Sequence, residues 1–422
     1  EKPEYAWVQL AQIPTATREK YAVQGLVKDG KVLVEITGGI YGLPQSGLLA
    51  QRDLIKHLEA AGYYMTGTNC LFRHRTRNIT FSLIVDDFGV MYTREQDAKH
   101  LMDTLTAVYE IKFDWTGSRF LGITLDWDYD ARSLTTSMPD FVLKALRRYG
   151  YDFSQPPAHS PGGWKKPNYG AAQQLVDDDL TQKLTTEQGL LLMSIIGTFL
   201  WYCRVLDYTG LVAIGQLGQE VAHPTEHSLD RAHDVLRYFA TYPSAAVVYK
   251  ASDMILRIHS DGSYLSEPRA GSRLGAIEYL GSEGDEDLPP TNGLINVVCC
   301  RSDVVLSSAC ETEWAAIFKA CKEAVETRQT LDNLGFPQKP TLVTSDNLCA
   351  VGLSNGTITK PKRSKAMDMR FHWVNDRVRQ GQFVVRWAPG DKNFADFFTK
   401  LHPVKHHRLF RLFYVKDIIT HP

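Results

Sequence analysis

The stretch that decides the fold is Phe81 to Tyr92, FSLIVDDFGVMY. Apolar, β-branched and aromatic residues stand on both sides of a short acidic break, a pattern that indicates a β-hairpin. The break holds Asp86 and Asp87, and burying two adjacent carboxylates beside such strands is costly unless a cation or hydrogen bonds compensate. Adjacent aspartates at a hairpin tip can also form a solvated turn, but the apolar surroundings favour a divalent-metal site.

Helical patterns flank this hairpin on both sides. Residues 95–109 repeat apolar side chains near the 3.6-residue period of an α-helix, and residues 48–61 are expected to form another helix. The order helix, hairpin, helix predicts antiparallel strands backed by helices.

A glycine-rich run, GIYGLPQSG, ends at Gly47. Because glycine lets a ligand approach the backbone closely, Gln45, Ser46 and Gly47 are candidates for contacts with a ligand. Alternatively, the run is a turn that leads into the helix at 48–61. The spacing alone favours the turn.

The composition of the middle of the chain changes at residue 154 and again at residue 186. Residues 154–183 are rich in Pro, Gly and polar side chains, which indicates a linker with little regular structure. Residues 186–242 carry helical patterns and include the longest apolar stretch, residues 189–203. Its 15 residues are fewer than the roughly 18 to 20 that span a bilayer. We therefore expect a buried helix and no membrane partner.

From residue 254 the pattern is strand, strand, strand, helix, strand, helix, strand, helix. Glu311 follows Ser308 by three residues, as in a capping box, so we favour Glu313 over Glu311 as a site residue. Carboxylates recur at the predicted strand ends and helix starts, and only folding can bring them together: Asp261, Glu313, Asp346 and Asp396.

Carboxylates without histidine or cysteine suit Mg²⁺, which prefers hard oxygen ligands. The predicted cofactor is therefore Mg²⁺, with Mn²⁺ as a substitute. The alternative is four unrelated surface acids.

Short sequence blocks stand in a fixed order along the chain. They are GIYGLPQSG (39–47), CLF (70–72), IVDD (84–87), FLGI (120–123), SMPDFVLKAL (137–146), SDGSY (260–264), SSACETEW (307–314), VTSDN (343–347), DMRFHWVNDRV (368–378) and FADFFTK (394–400). Together they resemble the reverse transcriptase and ribonuclease H regions of copia-type long-terminal-repeat retrotransposon polyproteins. The resemblance implies an α+β / α/β multidomain fold. It places a partial reverse-transcriptase palm at 1–153, a linker with a helical thumb or connection at 154–250, and a ribonuclease H-like mixed sheet with a basic end at 251–422.

The same resemblance implies metal ligands. Asp86 and Asp87 match two of the family's three polymerase ligands, and no residue of this sequence matches the first one. We therefore expect an N-terminally truncated chain with negligible DNA synthesis of its own. All four ribonuclease H ligands, Asp261, Glu313, Asp346 and Asp396, have counterparts in this sequence, which implies hydrolysis of RNA in RNA–DNA hybrids. It also implies two Mg²⁺ ions per site, about 3.5 to 4 Å apart, that stabilise the attacking and leaving oxygens of the phosphodiester and activate water. The resemblance further favours contacts of Gln45, Ser46 and Gly47 with an incoming nucleotide or a template. The alternative is a catalytically decayed or co-opted module that only binds nucleic acid.

Basic residues near the C-terminus are candidate nucleic-acid contacts. Residues 360–422 hold 14 Lys and Arg against 5 Asp and Glu. Lys362, Arg363 and Lys365 are expected to hold a phosphate backbone, and His372 either contacts phosphate or packs. The expected partners are an RNA–DNA hybrid, template RNA with a DNA primer, and dNTP in the complete enzyme. A homodimer or other polyprotein products are further expectations.

Composition bears on the compartment. The seven cysteines include no Cys-x-x-Cys pair and fit neither a zinc pattern nor a disulfide framework, which favours a reducing environment. A net charge of −1 argues against a uniformly basic coat. We expect an intracellular protein in a cytoplasmic particle, the nucleus or both.

Overall fold

The computed structural model describes residues 4–37, 46–164, 179–290, 292–357 and 368–418, with the backbone alone at 368–371. The chain forms two compact units, Glu1–Lys112 and Phe113–Pro422. The domain boundaries expected after residues 153 and 250 stay predictions. Four candidate contact residues lie outside the described ranges, namely Gln45, Lys362, Arg363 and Lys365.

The first unit combines antiparallel sheets with helices. Its strands are β1 (Glu4–Gln9), β2 (Val27–Lys28), β3 (Lys31–Ile36), β4 (Tyr63–Met65), β5 (Leu71–His74), β6 (Ile79–Ile84) and β7 (Asp87–Tyr92). Its α-helices are α1 (Thr15–Lys20), α2 (Ser46–Ala60) and α3 (Glu95–Thr106), with short 3₁₀ turns at Leu10–Gln12 and Val23–Leu26. The strand orders are β1-β3-β2 and β4-β5-β6-β7.

The predicted hairpin is formed by β6 and β7, which pair antiparallel with Ile84 opposite Asp87. Phe81 on β6 is buried together with Leu58 of α2 and Leu101 of α3 in one apolar core. The predicted arrangement, antiparallel strands backed by a helix on either side in sequence, is therefore confirmed. Helix α3 ends at Thr106, three residues earlier than expected.

The second unit contains the remaining elements. Its strands are β8 (Arg119–Phe120), β9 (Ile123–Asp128), β10 (Ser133–Ser137), β11 (Ala245–Lys250), β12 (Ile255–Glu267), β13 (Gly271–Gly281), β14 (Leu294–Arg301), β15 (Thr341–Ser345), β16 (Phe383–Trp387) and β17 (Lys416–Asp417). Its α-helices are α4 (Phe141–Arg148), α5 (Thr186–Val205), α6 (Leu211–Glu220), α7 (Glu226–Thr241), α8 (Ala309–Leu334), α9 (Leu348–Ser354), α10 (Asp368–Arg379) and α11 (Val404–Tyr414). Short 3₁₀ turns lie at Tyr208–Gly210, Gly390–Lys392 and Phe394–Phe398.

Helix α5 contains the long apolar run. A capping box at Thr185 starts the helix, and Leu192 and Phe199 are buried against α6 and α7. Leu190 and Met193 are exposed, so the expected buried helix is buried on one side only. Within the described residues, α5 alone has the length and apolar composition that could cross a membrane, a weak criterion that core helices also meet.

A five-stranded mixed sheet in the order β14-β13-β12-β15-β16 dominates the end of the chain. Strands β12, β13 and β14 are antiparallel neighbours, whereas β15 runs parallel to β12 and β16 parallel to β15. The predicted order of the strands and the mixed α/β fold class are therefore confirmed, whereas two helices, α9 and α10, stand between β15 and β16 where one was expected. The other sheet of this unit has the order β17-β11-β10-β9-β8.

The two faces of the mixed sheet are covered differently. Ile258 of β12 packs with Trp314 and Ile317 of α8 on one face. Since side chains alternate along a strand, Asp261 points to the other face, where its hydrogen-bond partners come from residues 393–399. That segment was expected to begin a helix. It instead forms the 3₁₀ turn Phe394–Phe398, and α11 begins at Val404.

Candidate metal centre

Three of the predicted carboxylates meet at one edge of the mixed sheet. One ligand oxygen from each of Asp261, Glu313 and Asp346 lies within 4.8 Å of the others. The register explains the meeting of the two aspartates. His259 of β12 pairs with Thr344 of β15 in a parallel ladder, so Asp261 and Asp346 lie at the same level, each two residues further along its chain.

A glycine brings the third carboxylate to this edge. A Cβ atom on Gly262 would lie 2.7 Å from the carbonyl carbon of Thr312 and 2.9 Å from the backbone nitrogen of Glu313. Any side chain there would push the start of α8 away from β12, since real Cβ atoms do not approach backbone so closely. The glycine that follows Asp261 therefore sets the distance between Asp261 and Glu313.

Two residues that the sequence analysis did not single out orient Asp261. The Thr399 hydroxyl donates to Asp261 Oδ2 at 2.8 Å, and the Asn393 side-chain amide donates to Asp261 Oδ1 at 3.2 Å. The same amide also donates to the carbonyl of Ser260 at 2.9 Å. Both residues flank Asp396, and their polar side chains in an otherwise aromatic run are the signal that could have identified them.

The fourth predicted carboxylate, Asp396, lies beside the trio. Its Oδ1 forms an ion pair with Lys400, and its Oδ2 is 3.7 Å from Nε2 of His402. Asp396 is not one of the three residues whose ligand oxygens lie within 4.8 Å of one another, but its negative charge raises the pKa of both Asp261 and Asp346. The fold thus brings all four carboxylates into one electrostatically coupled region.

The electrostatics of this region favour protons or cations. Burial, and then the charges of Asp261 and Asp346, raise the pKa of Glu313 to about 10. Burial raises the pKa of Asp261 to about 7, with Asp396 adding to the effect and Lys400 opposing it. Burial also raises the pKa of Asp346. The site therefore retains protons near neutral pH unless a cation replaces them.

The residues present fit a divalent cation. Oxygen Oε2 of Glu313 is buried and finds no hydrogen-bond partner among the described residues. A buried carboxylate oxygen without a partner is costly, and the trio offers only oxygen ligands, which is the donor set of hard cations. A divalent ion would supply the missing partner and offset the repulsion between the carboxylates.

Glu311 and Glu313 divide two roles between them. The Ser308 hydroxyl accepts from the backbone N–H of Glu311 at 3.2 Å, which caps α8. The Glu311 carboxylate turns back to Ser307, whose backbone N–H donates to it at 2.8 Å. The N-cap at Ser308 is therefore confirmed, but the reciprocal bond of a capping box is not formed, because the Glu311 carboxylate accepts from Ser307 instead of from Ser308. Glu313, not Glu311, faces the carboxylate group.

The aspartates of the hairpin have different surroundings. Asp86 and Asp87 are both exposed at the tip, and Val85 before them has φ of 56°, a conformation that β-branched residues rarely adopt. The premise that they are buried is therefore wrong. Within the described residues neither belongs to a group of three potential ligands. Their role as polymerase ligands stays a prediction.

Other candidate residues lie on helices or near the site. Ser46 and Gly47 begin α2, and the position of a Cβ on Gly47 is in open space, so packing does not require this glycine. His372 is exposed on α10. Trp387 is 43% exposed, and its indole N–H donates to the carbonyl of Asp346 at 2.8 Å. An aromatic surface therefore adjoins the carboxylates.

Solved structures offer partial likenesses. A foamy viral protease-reverse transcriptase in complex with an RNA/DNA hybrid has a TM-score of 0.46 at 14% identity, covering 86% of this chain and 40% of that one. The ribonuclease H1 LC11, isolated from compost, has a TM-score of 0.27 at 16% identity, covering 35% of this chain and 93% of its own. These scores are too low to indicate a function.

Sequence relatives are more informative. No protein-family model matches the chain. The retrovirus-related Pol polyprotein from transposon TNT 1-94 of Nicotiana tabacum is 21% identical over 88% of this chain, and the transposon Ty1-NL2 Gag-Pol polyprotein of Saccharomyces cerevisiae is 22% identical over 89%. The chain spans 27% and 21% of the length of these two relatives. The homologues of this chain are therefore copia-type Gag-Pol polyproteins, and the resemblance predicted from the sequence blocks is confirmed.

Proposed function

We propose that this chain hydrolyses the RNA strand of RNA–DNA hybrids with the help of divalent cations, Mg²⁺ being the ion that best suits the ligands. One observation carries the proposal: Asp261, Glu313 and Asp346 place ligand oxygens within 4.8 Å of one another. Asp396 beside them completes the set of four. Oxygen-only ligands favour Mg²⁺ or Mn²⁺ over softer metals.

The residues of the chain have distinct tasks in this proposal. Thr399 and Asn393 hold the two oxygens of Asp261 in fixed directions. Gly262 keeps Glu313 close to Asp261, and Lys400 holds one oxygen of Asp396. When bound, two Mg²⁺ ions supply charge stabilisation for the attacking and leaving oxygens and lower the pKa of water.

The surface around the carboxylates suits a nucleic-acid strand. Exposed Trp387 adjoins Asp346 and can stack on a base or sugar. His372 is exposed on α10, and the basic residues Lys362, Arg363 and Lys365 are close to it in sequence. We propose that these residues contact the phosphate backbone, which makes hybrid binding weaken steeply with salt.

We further propose that RNA-directed DNA synthesis belongs to the complete polyprotein. Asp86 and Asp87 would then supply two metal ligands from the hairpin tip, with dNTP, template RNA and a DNA primer as partners. Within the described residues these two aspartates lack a third ligand. We therefore expect no primer extension by this chain above that of a double Asp86→Ala, Asp87→Ala variant.

The hydrolysis proposal is tested with a hybrid labelled on its RNA strand. The wild-type chain should cut it with Mg²⁺, should stop when the cation is chelated, and should leave a DNA duplex intact. Asp346→Asn should abolish cutting, whereas Asp332→Asn, which changes an exposed carboxylate at the far end of α8, should not. Salt-sensitive binding without cutting would contradict the proposal and favour a non-catalytic binding module.

A further inference from the structure

A second group of potential ligands lies next to the carboxylates and has a different chemistry. One ligand atom from each of Asp396, His402 and His406 lies within 4.8 Å of the others. His402 precedes α11 and His406 lies in its first turns. Unlike the oxygen-only trio, this group offers two imidazoles and one carboxylate.

The atoms of this group lie close together. Lys400 contacts Oδ1 of Asp396, while Oδ2 faces Nε2 of His402 at 3.7 Å. The imidazole rings of His402 and His406 stack with centroids 4.4 Å apart. Nitrogen Nε2 of His406 is buried and has no hydrogen-bond partner among the described residues.

The distances approach those of one tetrahedral ion, and binding requires the stacked rings of His402 and His406 to rotate and Nε2 of His402 to leave the backbone carbonyl of Asp396, 3.2 Å away. With metal–nitrogen and metal–oxygen bonds of about 2.0 to 2.2 Å, two ligands of one zinc ion lie roughly 3.3 to 3.6 Å apart. The His402–Asp396 distance is already 3.7 Å. Three protein ligands would leave a fourth position open, as in catalytic zinc sites.

We propose that Asp396, His402 and His406 bind one transition-metal ion, Zn²⁺ or Co²⁺, at a site distinct from the oxygen-only centre. Imidazole favours these metals, whereas Mg²⁺ avoids nitrogen ligands. The unpartnered nitrogen of His406 then has a partner. A purely structural role for the stacked rings is the competing explanation, and it predicts no metal binding.

The two sites share Asp396, which has a consequence for hydrolysis. A transition metal held by His402 and His406 would draw the Asp396 carboxylate away from Asp261 and Asp346. Zinc should therefore inhibit Mg²⁺-dependent cleavage. This consequence rests on the proposed hydrolysis, whereas the binding of the metal does not.

Binding is tested by titrating the full chain with Co²⁺ and following its visible absorption bands. We expect one tightly bound ion per chain. His406→Phe keeps an aromatic ring against Phe410, whose ring lies 4.1 Å from that of His406, but it removes both nitrogens. It should weaken binding by at least about tenfold, since even the outer-shell partners of metal sites contribute about 10–100-fold in affinity.

His227→Ala is the matched control, because His227 is exposed on α7. It should bind Co²⁺ like the wild type. Equal binding by His406→Phe, or no saturable binding by the wild type, would overturn the proposal. Should His406→Phe fail to fold, X-ray absorption of the zinc-loaded wild type decides, since it must show two imidazoles in the first coordination shell.

Inhibition is measured separately. For each protein, we divide the rate of hybrid cleavage measured with Zn²⁺ by the rate measured without it, at the same Mg²⁺ concentration. We expect at least a tenfold lower ratio for the wild type than for His406→Phe. If no variant cuts the hybrid, the proposed hydrolysis fails while the Co²⁺ titration still decides the metal site. If the wild type binds Co²⁺ and both proteins cut the hybrid, equal ratios for the wild type and His406→Phe would overturn the proposed competition between the two metal sites.

Discussion

Replacing Glu313 by Gln should stabilise the cation-free protein at alkaline pH. The change keeps the size of the side chain and removes its charge. The ligand oxygens of Glu313, Asp261 and Asp346 lie within 4.8 Å of one another. Two unit charges at this distance would repel by about 3 kcal/mol at an effective dielectric constant of about 20, so the folded protein keeps Glu313 protonated at pH 8, where the unfolded chain has it ionised. Glu313→Gln removes the need to take up this proton on folding and should therefore raise the free energy of unfolding by about 3 to 5 kcal/mol at pH 8.

The pH dependence gives the sign of the effect. The pKa of Glu313 is raised from 4.5 to about 10 in the folded protein, so the folded state holds a proton that the unfolded state releases above pH 4.5. Stability is then lost as the pH rises from the unfolded pKa towards the folded one. Glu313→Gln removes this loss. Its advantage should be below about 1 kcal/mol at pH 5, which lies only about half a unit above the unfolded pKa, since one pKa unit corresponds to about 1.4 kcal/mol.

The assay is urea unfolding at pH 5 and pH 8 with a chelator present, followed by tryptophan fluorescence. Asp332→Asn serves as the control and should stay within about 0.5 kcal/mol of the wild type, as exposed substitutions do. Mg²⁺ should stabilise the wild type and fail to stabilise Glu313→Gln. A variant less stable than the wild type at pH 8, or equally stabilised at both pH values, would refute the electrostatic reasoning.

Three further predictions concern the same unit. Gly262→Ala should destabilise it by about 1 to 3 kcal/mol through overpacking against α8 and should lower hybrid cleavage; an unchanged urea midpoint would contradict the close approach of the two backbones. Calorimetry should show Mg²⁺ binding more tightly at pH 8 than at pH 6, because the pKa of Asp261 is raised to about 7 and the cation must displace a proton; a pH-independent affinity would contradict this. Arg411→Met should cost about 3 to 5 kcal/mol, because it leaves the buried carboxylate of Asp207, 2.8 Å from the guanidinium, without its partner; a loss below about 1 kcal/mol in urea unfolding would contradict that.

Much of the fold could be predicted from local sequence patterns. Alternating apolar residues and a short break predicted the β6–β7 hairpin, because strand pairing at a tight turn depends on neighbouring residues. The capping pattern at Ser308 correctly assigned Glu311 to the start of α8 and left Glu313 as the residue that faces the other carboxylates. It could do so because a helix cap is also a local interaction. Of the three carboxylates that meet, only Asp346 directly follows a strand as predicted; Asp261 lies inside β12, which continues to Glu267, and Glu313 lies in the first turns of α8.

Interactions between distant segments could not be predicted in the same way. Thr399 reaches Asp261 across 138 residues of sequence, and no periodicity relates the two. The exposure of Asp86 depends on how the hairpin tip projects, which the apolar flanks do not determine. Likewise, the packing of α6 and α7 decides which side of α5 is buried, and the residues of α5, apolar on both sides, do not show it.

The most direct test of the proposed centre is single-turnover cleavage of an RNA-labelled hybrid at pH 8 with Mg²⁺, comparing wild type with Asp261→Asn. Asp261 is one of the three carboxylates that meet, and Thr399 and Asn393 orient its two oxygens. Loss of cleavage in Asp261→Asn, with hybrid binding retained, is the predicted result. Equal cleavage by Asp261→Asn and the wild type would contradict the assignment of this carboxylate group as the hydrolytic site.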